Sequence, residues 1–237
     1  GIWFAWGRYT EARQGYEWAS QAAEAIGDRR ALAACLLDWG RACIEQRDYD
    51  EAEEHLSASL PMWEALADRQ GKATSQYHLA RIATEQTDYD RAQRLLAESR
   101  DARGQLGDVV GVAEVLSATA SMLALQGSYE EADRLLQQAL DLQEAAGAEH
   151  GSIATLYLLA CVAVEQKALD RAEDLGRRAL ALCDKLQERE EQVNILDMRS
   201  HLYRRQNRLD LAQACAEQSF QLLRSMGDLV TQAQVLY

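Results

Sequence analysis

Apolar residues recur along the chain at the three- and four-residue spacing of amphipathic helices. In the stretch that opens at Asp28 they fall at Leu32, Leu36, Trp39 and Cys43; after a polar break at Arg47-Asp48 they resume at Ala52, Leu56, Leu60 and Trp63. The breaks carry their own chemistry. Gly27 suits the position just past a helix, where φ turns positive, and Asp28 can cap the next helix by accepting from its free amides. Asp48 stands likewise before the following helix, with Asp50 and Glu51 in its first turn against the positive end of the dipole. The same grammar repeats through Ser128-Tyr129-Glu130-Glu131, Asp170 and Asp210. It predicts helices over 28–46, 49–66, 68–86, 89–106, 108–126, 129–146, 149–166, 169–186, 188–206 and 209–226.

Slid against itself, the chain locks at a period of 40. Ala12, Ala52, Ala92, Ala132, Ala172 and Ala212 share one column, and Tyr9, Tyr49, Tyr89, Tyr129, Leu169 and Leu209 stand three residues earlier. Gln46, Gln86, Gln126, Gln166 and Gln206 form a third. Gly40, Ala80, Ala120, Ala160 and Ser200 make a small-residue column that lets paired helices approach closely, so the alanines of the 52 column are expected to be buried. Repeat boundaries fall near 27/28, 67/68, 107/108, 147/148, 187/188 and 227/228. The result is an all-α fold, a single α-α superhelix of about five complete helix–turn–helix units with partial units at both ends.

A small residue, an aromatic at the turn and then alanine resembles the tetratricopeptide repeat (TPR), whose unit is normally about 34 residues. The extra length fits as longer helices at the joint between units. Residue 1 falls late in a first helix and Tyr237 in mid-helix, leaving Trp3, Phe4, Leu236 and Tyr237 at apolar ends that a solenoid normally covers. The expectation is a piece of a longer protein, with self-association through these ends as one consequence.

Composition narrows the function. The formal net charge of −13 argues against nucleic acid as a direct partner, because phosphate binding draws on a basic patch. No apolar run approaches the roughly 18 residues of a membrane span and no signal pattern opens the chain, so a cytoplasmic protein without membrane contact is expected. Five cysteines lack C-x-x-C spacing, and the four histidines, His55, His78, His150 and His201, lack metal-ligand spacing. Phosphate-loop, dinucleotide, metalloprotease and nucleophile-elbow motifs are missing. The sequence therefore points to no enzyme, no cofactor and no metal.

A binding surface is the remaining place for function. First helices of such units line the concave face. With the 36, 39, 40 and 43 columns in the core, the stripe left over is 34, 37, 38, 41, 44 and 45. This places Arg41, Arg81, Tyr77 and Tyr157 along one groove, flanked by Thr74, His78 and Asn194, with His201 and Arg204 at the far end. Arginine supplies forked donors and tyrosine an amphipathic contact, which suits a peptide or an acidic group. The plain alternative is a solvated face whose arginines pair with Asp38, Glu45 and Glu85. The dicarboxylate clamp of some TPR domains, built mainly from Lys and Asn, is not matched.

Trp3-Phe4, Gly7-Arg8 and Glu11-Ala12-Arg13 resemble the opening of the TPR region in bacterial MalT-type and NB-ARC-containing regulators of the STAND class. That resemblance implies a regulatory solenoid that senses a partner or inducer. The occupant of the groove is then a peptide or protein segment, or alternatively a small-molecule inducer. Units punctuated by Gly-Asp also resemble the arrays of eukaryotic adaptors such as kinesin light chain.

Overall fold

The computed structural model describes residues 9–226, with side chains from residue 13 onward. Eleven helices occupy the described residues: α1 (Tyr9–Ala25), α2 (Arg29–Glu45), α3 (Tyr49–Ala65), α4 (Arg69–Glu85), α5 (Tyr89–Gln105), α6 (Val109–Leu125), α7 (Tyr129–Ala145), α8 (Glu149–Glu165), α9 (Leu169–Leu186), α10 (Arg189–Arg205) and α11 (Leu209–Met226). Each helix expected from the sequence is present to within a residue at either end, and α1 completes the partial unit before them. The apolar terminal residues Trp3, Phe4, Leu236 and Tyr237, and the side chains of Glu11 and Ala12, lie outside the described residues.

Helices follow one another at a spacing of twenty because every joint is built alike. Gly27, Arg47, Ala67, Thr87, Gly107, Gly127, Gly147, Lys167, Gln187 and Asn207 all have positive φ. At the first joint the Gly27 amide donates to Glu24 O at 3.0 Å and the Asp28 amide to Ala23 O at 2.9 Å. This pair of bonds satisfies the last carbonyls of the outgoing helix. The next residue already caps the incoming one.

Capping then divides the molecule. Asp28, Asp48, Asp68 and Asp88 accept from the amides of Ala31, Glu51, Gly71 and Arg91, and Asp108 accepts from Gly111 at 2.8 Å. Further on, Ser128, Ala148, Ala168 and Glu188 hold the cap position without a side-chain bond. The expected grammar holds there in part: the Ser128 hydroxyl makes no cap bond, whereas Asp170 and Asp210, in the column of Asp50, lie in the first turns of α9 and α11, where their charge meets the dipole.

The chain forms two compact units, residues 1–115 and 116–237. In the first, α1 packs on α2, α2 on α3, α3 on α4 and α4 on α5, and α2 also reaches α4. Its core gathers Trp39, Cys43, Ile44, Ala52, Leu56, Leu79 and Ile82. In the second, α7 packs on α8, α8 on α9, α9 on α10 and α10 on α11, with α8 reaching α10. Leu136, Leu140, Ile153, Leu156, Leu159, Ile195 and Leu202 fill it. Direct contact between successive first helices identifies them as the inner layer within each unit.

The small columns do what their spacing implies. Ala52, Ala92, Ala132 and Ala172 are fully buried and Ala212 nearly so. A Cβ on Gly40 would stand 2.6 Å from Leu56 Cγ, and Ser200 Oγ donates to Ala212 O at 3.0 Å. Another complementary pair of columns emerges only in three dimensions. Trp63, Arg103 and Gln143 each lie against the glycine eight residues on. A Cβ on Gly71 would come within 2.6 Å of Trp63 Cε3, one on Gly111 would collide with Arg103 and Asp108, and one on Gly151 would stand 2.9 Å from Gln143 Nε2. No disulfide joins the cysteines; Cys43, Cys183 and Cys215 are buried.

Candidate functional site

Within the first unit, α2 and α4 present Arg41, Thr74, Tyr77, His78 and Arg81. Tyr77 is half-buried and meets the His78 ring edge-on at 5.0 Å. Burial raises the Tyr77 hydroxyl above its ordinary pKa, with Arg81, Glu114, Arg103 and Glu45 acting on it as nearby charges. His78 is 7% exposed and its Nδ1 is buried without a hydrogen-bond partner. Desolvation holds its pKa well below 6.5, and the charges of Arg81, Arg41 and Arg103 push the same way. His78 is thus a neutral ring ringed by cations.

The arginines are engaged lightly. Arg41 Nη1 lies 3.3 Å from Asp38, with both side chains more than half exposed. Arg81 Nη2 stands 3.6 Å from Glu45, beyond hydrogen-bonding distance. Glu85, the third acid expected to pair with them, is hydrogen-bonded to the Tyr49 hydroxyl. Thr74 turns its hydroxyl back onto Gln70 O at 2.9 Å.

Arg103 of α5 joins this group from a second helix. Its side chain is buried, its guanidinium carbon lies 5.3 Å from the Tyr77 ring centroid, and Nη1 pairs with Glu114 at 2.8 Å and Asp108 at 3.8 Å. Asp108 also accepts from Gln70 Nε2 at 3.0 Å. Burial pushes the Asp108 carboxyl up, but the bonds from Gln70 and the Gly111 amide and the Arg103 charge outweigh it, leaving the pKa below the ordinary value. Gly111 was the one available signal: a glycine at this column makes room for a large partner at position 103.

In the second unit α8 and α10 present Tyr157, Asn194, His201 and Arg204. Tyr157 is half-buried and within hydrogen-bonding reach of Cys161, and burial, then Cys161 and Asp197, raise its hydroxyl far above the ordinary value. Asn194 is exposed, and Arg204 Nη2 donates to His201 Nδ1 at 3.1 Å. The 44 column is corrected in both units. Ile44, Thr84 and Val164 are buried, because the contact of successive first helices turns that column inward, Ile44 packing with Trp39 and Ile82.

Two open clefts lie away from these residues. Leu32 and Met62 line one and Gln192 and Leu222 the other, equivalent positions four repeats apart. No group of three metal-ligating side chains occurs among the described residues, and no described helix is long and apolar enough to cross a membrane.

Comparison with known proteins agrees with this architecture. The tetratricopeptide repeat profile matches residues 32–105 and 111–185, more than half of the chain, and the protein belongs to the tetratricopeptide repeat family. No curated protein matches the sequence. Among solved structures it is similar to BtubC from P. vanneervenii, at 17% identity and TM-score 0.70 over 92% of either chain. It is similar to a Rap protein complexed with Competence and Sporulation Factor, at 12% identity and TM-score 0.75 over 96% of this chain and 68% of that one. A STAND protein with a tetratricopeptide repeat sensor from Pyrococcus horikoshii aligns at 16% identity and TM-score 0.57, over 92% of this chain and 37% of that one.

Proposed function

We propose that the protein is a non-catalytic interaction module that binds a peptide or protein segment on the face of its first helices. In this reading it serves as the regulatory or sensor solenoid of a bacterial signalling or transcription regulator. The observation that carries it is the α2–α4 face itself, where Tyr77, Arg41 and Arg81 stand around a buried His78 whose Nδ1 lacks a partner. The TPR is a repeat of protein-interaction scaffolds, and similarity of fold to a Rap protein solved with Competence and Sporulation Factor supports a segment as the occupant.

Site-specific crosslinking tests this. Benzoylphenylalanine is placed at Tyr77 or Tyr157 on the first helices, and at the exposed Arg100 or Arg178 on the second helices. The same partner should be captured from 77 or 157 and from neither control. Equal capture from Arg100 and Arg178 would place the partner on the outer layer and overturn the reading.

A further inference from the structure

We propose that the cleft between α1 and α3 in the first unit docks a basic amphipathic helix of a protein partner. This surface belongs to the second helices and is separate from the first-helix face.

The floor of the cleft is apolar. Ala23 of α1, Leu32 of α2 and Met62 of α3 line it, with Pro61 and Ala65 along one side. Methionine is unbranched and adaptable, which suits a surface that receives a partner's side chains. The walls above that floor are acidic. Glu17 and Glu24 stand seven residues apart on α1, hence on one flank and about 10.5 Å apart along the axis. Glu54 lies seven residues before Pro61 on α3 and so shares the flank that turns to the cleft. All three are exposed, and none is in an ion pair among the described residues. The nearby cations are engaged elsewhere: Arg13 pairs with Glu51 at 3.0 Å and Lys72 with Glu64 at 2.5 Å. Arg29, beside the capping Asp28, is the one cation among the described residues that line the cleft.

Pro61 adds an acceptor of another kind. It is the one proline of the chain and lies inside α3, where its missing N–H leaves the Ser57 carbonyl without its usual helical donor. Asp101, Asp141, Ala181 and Gln221 hold the same column in later repeats, so the device is confined to this cleft. Acceptors thus flank an apolar floor on both sides. A helix whose apolar stripe runs between lysines or arginines is the complement, and cations seven residues apart on it repeat at the spacing of Glu17 and Glu24. Phosphates of a membrane or a nucleic acid would meet these acids as like charges, which leaves a protein as the occupant.

The equivalent cleft of the second unit keeps the floor and loses the charge. Leu196 and Leu222 line it, but Gln218 and Gln221 stand where the first unit has Ala58 and Pro61. Arg177 and Ala214 occupy the positions of Glu17 and Glu54, and Asp184, at the position of Glu24, accepts from Gln192. A basic helix is therefore directed to the first unit.

The test is a titration of the 15N-labelled chain with three blocked peptides of one length. The first is a leucine–lysine peptide patterned as an amphipathic helix, the second its scrambled form, and the third the patterned form with glutamate for lysine. The patterned basic peptide should shift amides of α1 and α3 and bind at least tenfold more tightly than either of the others. Glu17→Gln/Glu24→Gln/Glu54→Gln should weaken it tenfold or more, and Met62→Gln severalfold. Removing as much charge from α7, with Glu130→Gln/Glu131→Gln/Asp141→Asn, should change its affinity less than twofold. Equal binding of the scrambled peptide, or an equal loss from the α7 variant, would mean diffuse attraction to an acidic chain and overturn the proposal. Shifts confined to α4 or α8 would move the peptide to the first-helix face and overturn it while leaving the proposed function standing. The absence of any shift in α1 and α3 would overturn it as well.

Discussion

The two compact units reach one repeat geometry by different means. Residues 1–115 cap their helices with aspartate at Asp28, Asp48, Asp68, Asp88 and Asp108, and bury polar side chains such as Ser59, Ser75, Gln76, His78 and Arg103. Ser59 Oγ and Ser75 Oγ meet at 2.8 Å, and Ser99 Oγ donates to Ala73 O at 2.7 Å, so much of that interior is held by directed bonds. Residues 116–237 drop the cap bonds and bury more leucine, isoleucine and valine, beside Gln143, Ser152, Thr155, Ser200 and Ser219. Burial of apolar area is non-directional and roughly proportional to area, whereas caps and hydroxyl bonds fix positions at about 1 kcal/mol each. The lesson is a division of labour. The first unit fixes its joints and much of its interior by directed bonds, and the second relies more on aliphatic packing.

The largest effects should come from the tight seats. Gly71→Ala forces the rigid Trp63 ring away and should cost about 2–3 kcal/mol of unfolding free energy by urea titration. Gly151→Ala meets only the amide end of Gln143, which can swing, and should cost less than about 1 kcal/mol. Ala92→Leu and Ala132→Leu should overpack either unit alike, at roughly 1–3 kcal/mol each; unchanged melting of both would refute the assigned packing.

Acid comes next. A histidine whose folded pKa lies below its unfolded value contributes no penalty above 6.5 and destabilises as pH falls below it. Stability should therefore fall progressively as pH drops below that value through His78 alone. His78→Gln should flatten this part of the pH profile, and an identical profile would contradict a neutral buried ring.

Caps sharpen the contrast directly. Asp88→Ala should cost about 1 kcal/mol, whereas Ala148→Asp and Ala168→Asp should each stabilise by about 0.5–1 kcal/mol, read from denaturant midpoints. Equal losses from all three would mean that capping does not distinguish the units. The smallest effect belongs to the joints. Ala67→Gly relieves a positive φ of 51° and should gain about 0.5 kcal/mol in melting experiments, the gain being cut by the greater freedom of glycine in the unfolded chain.

Helix ends and the buried alanine column were legible in the sequence because each follows from spacing alone; ten helices were marked by it, and α1 before them makes eleven among the described residues. The joints were only half legible. Gly27 and Gly107 advertise a positive φ, but Arg47, Ala67, Thr87 and Lys167 adopt it too, since the bonds of the joint impose it regardless of side chain. The caps of the second unit misled only at Ser128, whose side chain suits the position yet makes no cap bond; Asp170 and Asp210 sit in the first turns that their column implies. At the site, the position of Arg41, Tyr77 and Arg81 on first helices followed from the period. Arg103 did not, because it reaches Tyr77 from a second helix, and only contact between repeats brings them together. Ile44 was assigned outward because the 44 column lies on the polar side of one helix considered alone.

The central claim is that Arg41 and Arg81 are held for a ligand and are not needed by the fold. Urea unfolding of the Arg41→Ala/Arg81→Ala variant against the parent chain tests it most directly. Exposed ion pairs of this kind contribute roughly 0–1 kcal/mol, so the account expects a total loss within about 1 kcal/mol and an unchanged slope. A loss of several kcal/mol would make the two arginines part of the scaffold and contradict it.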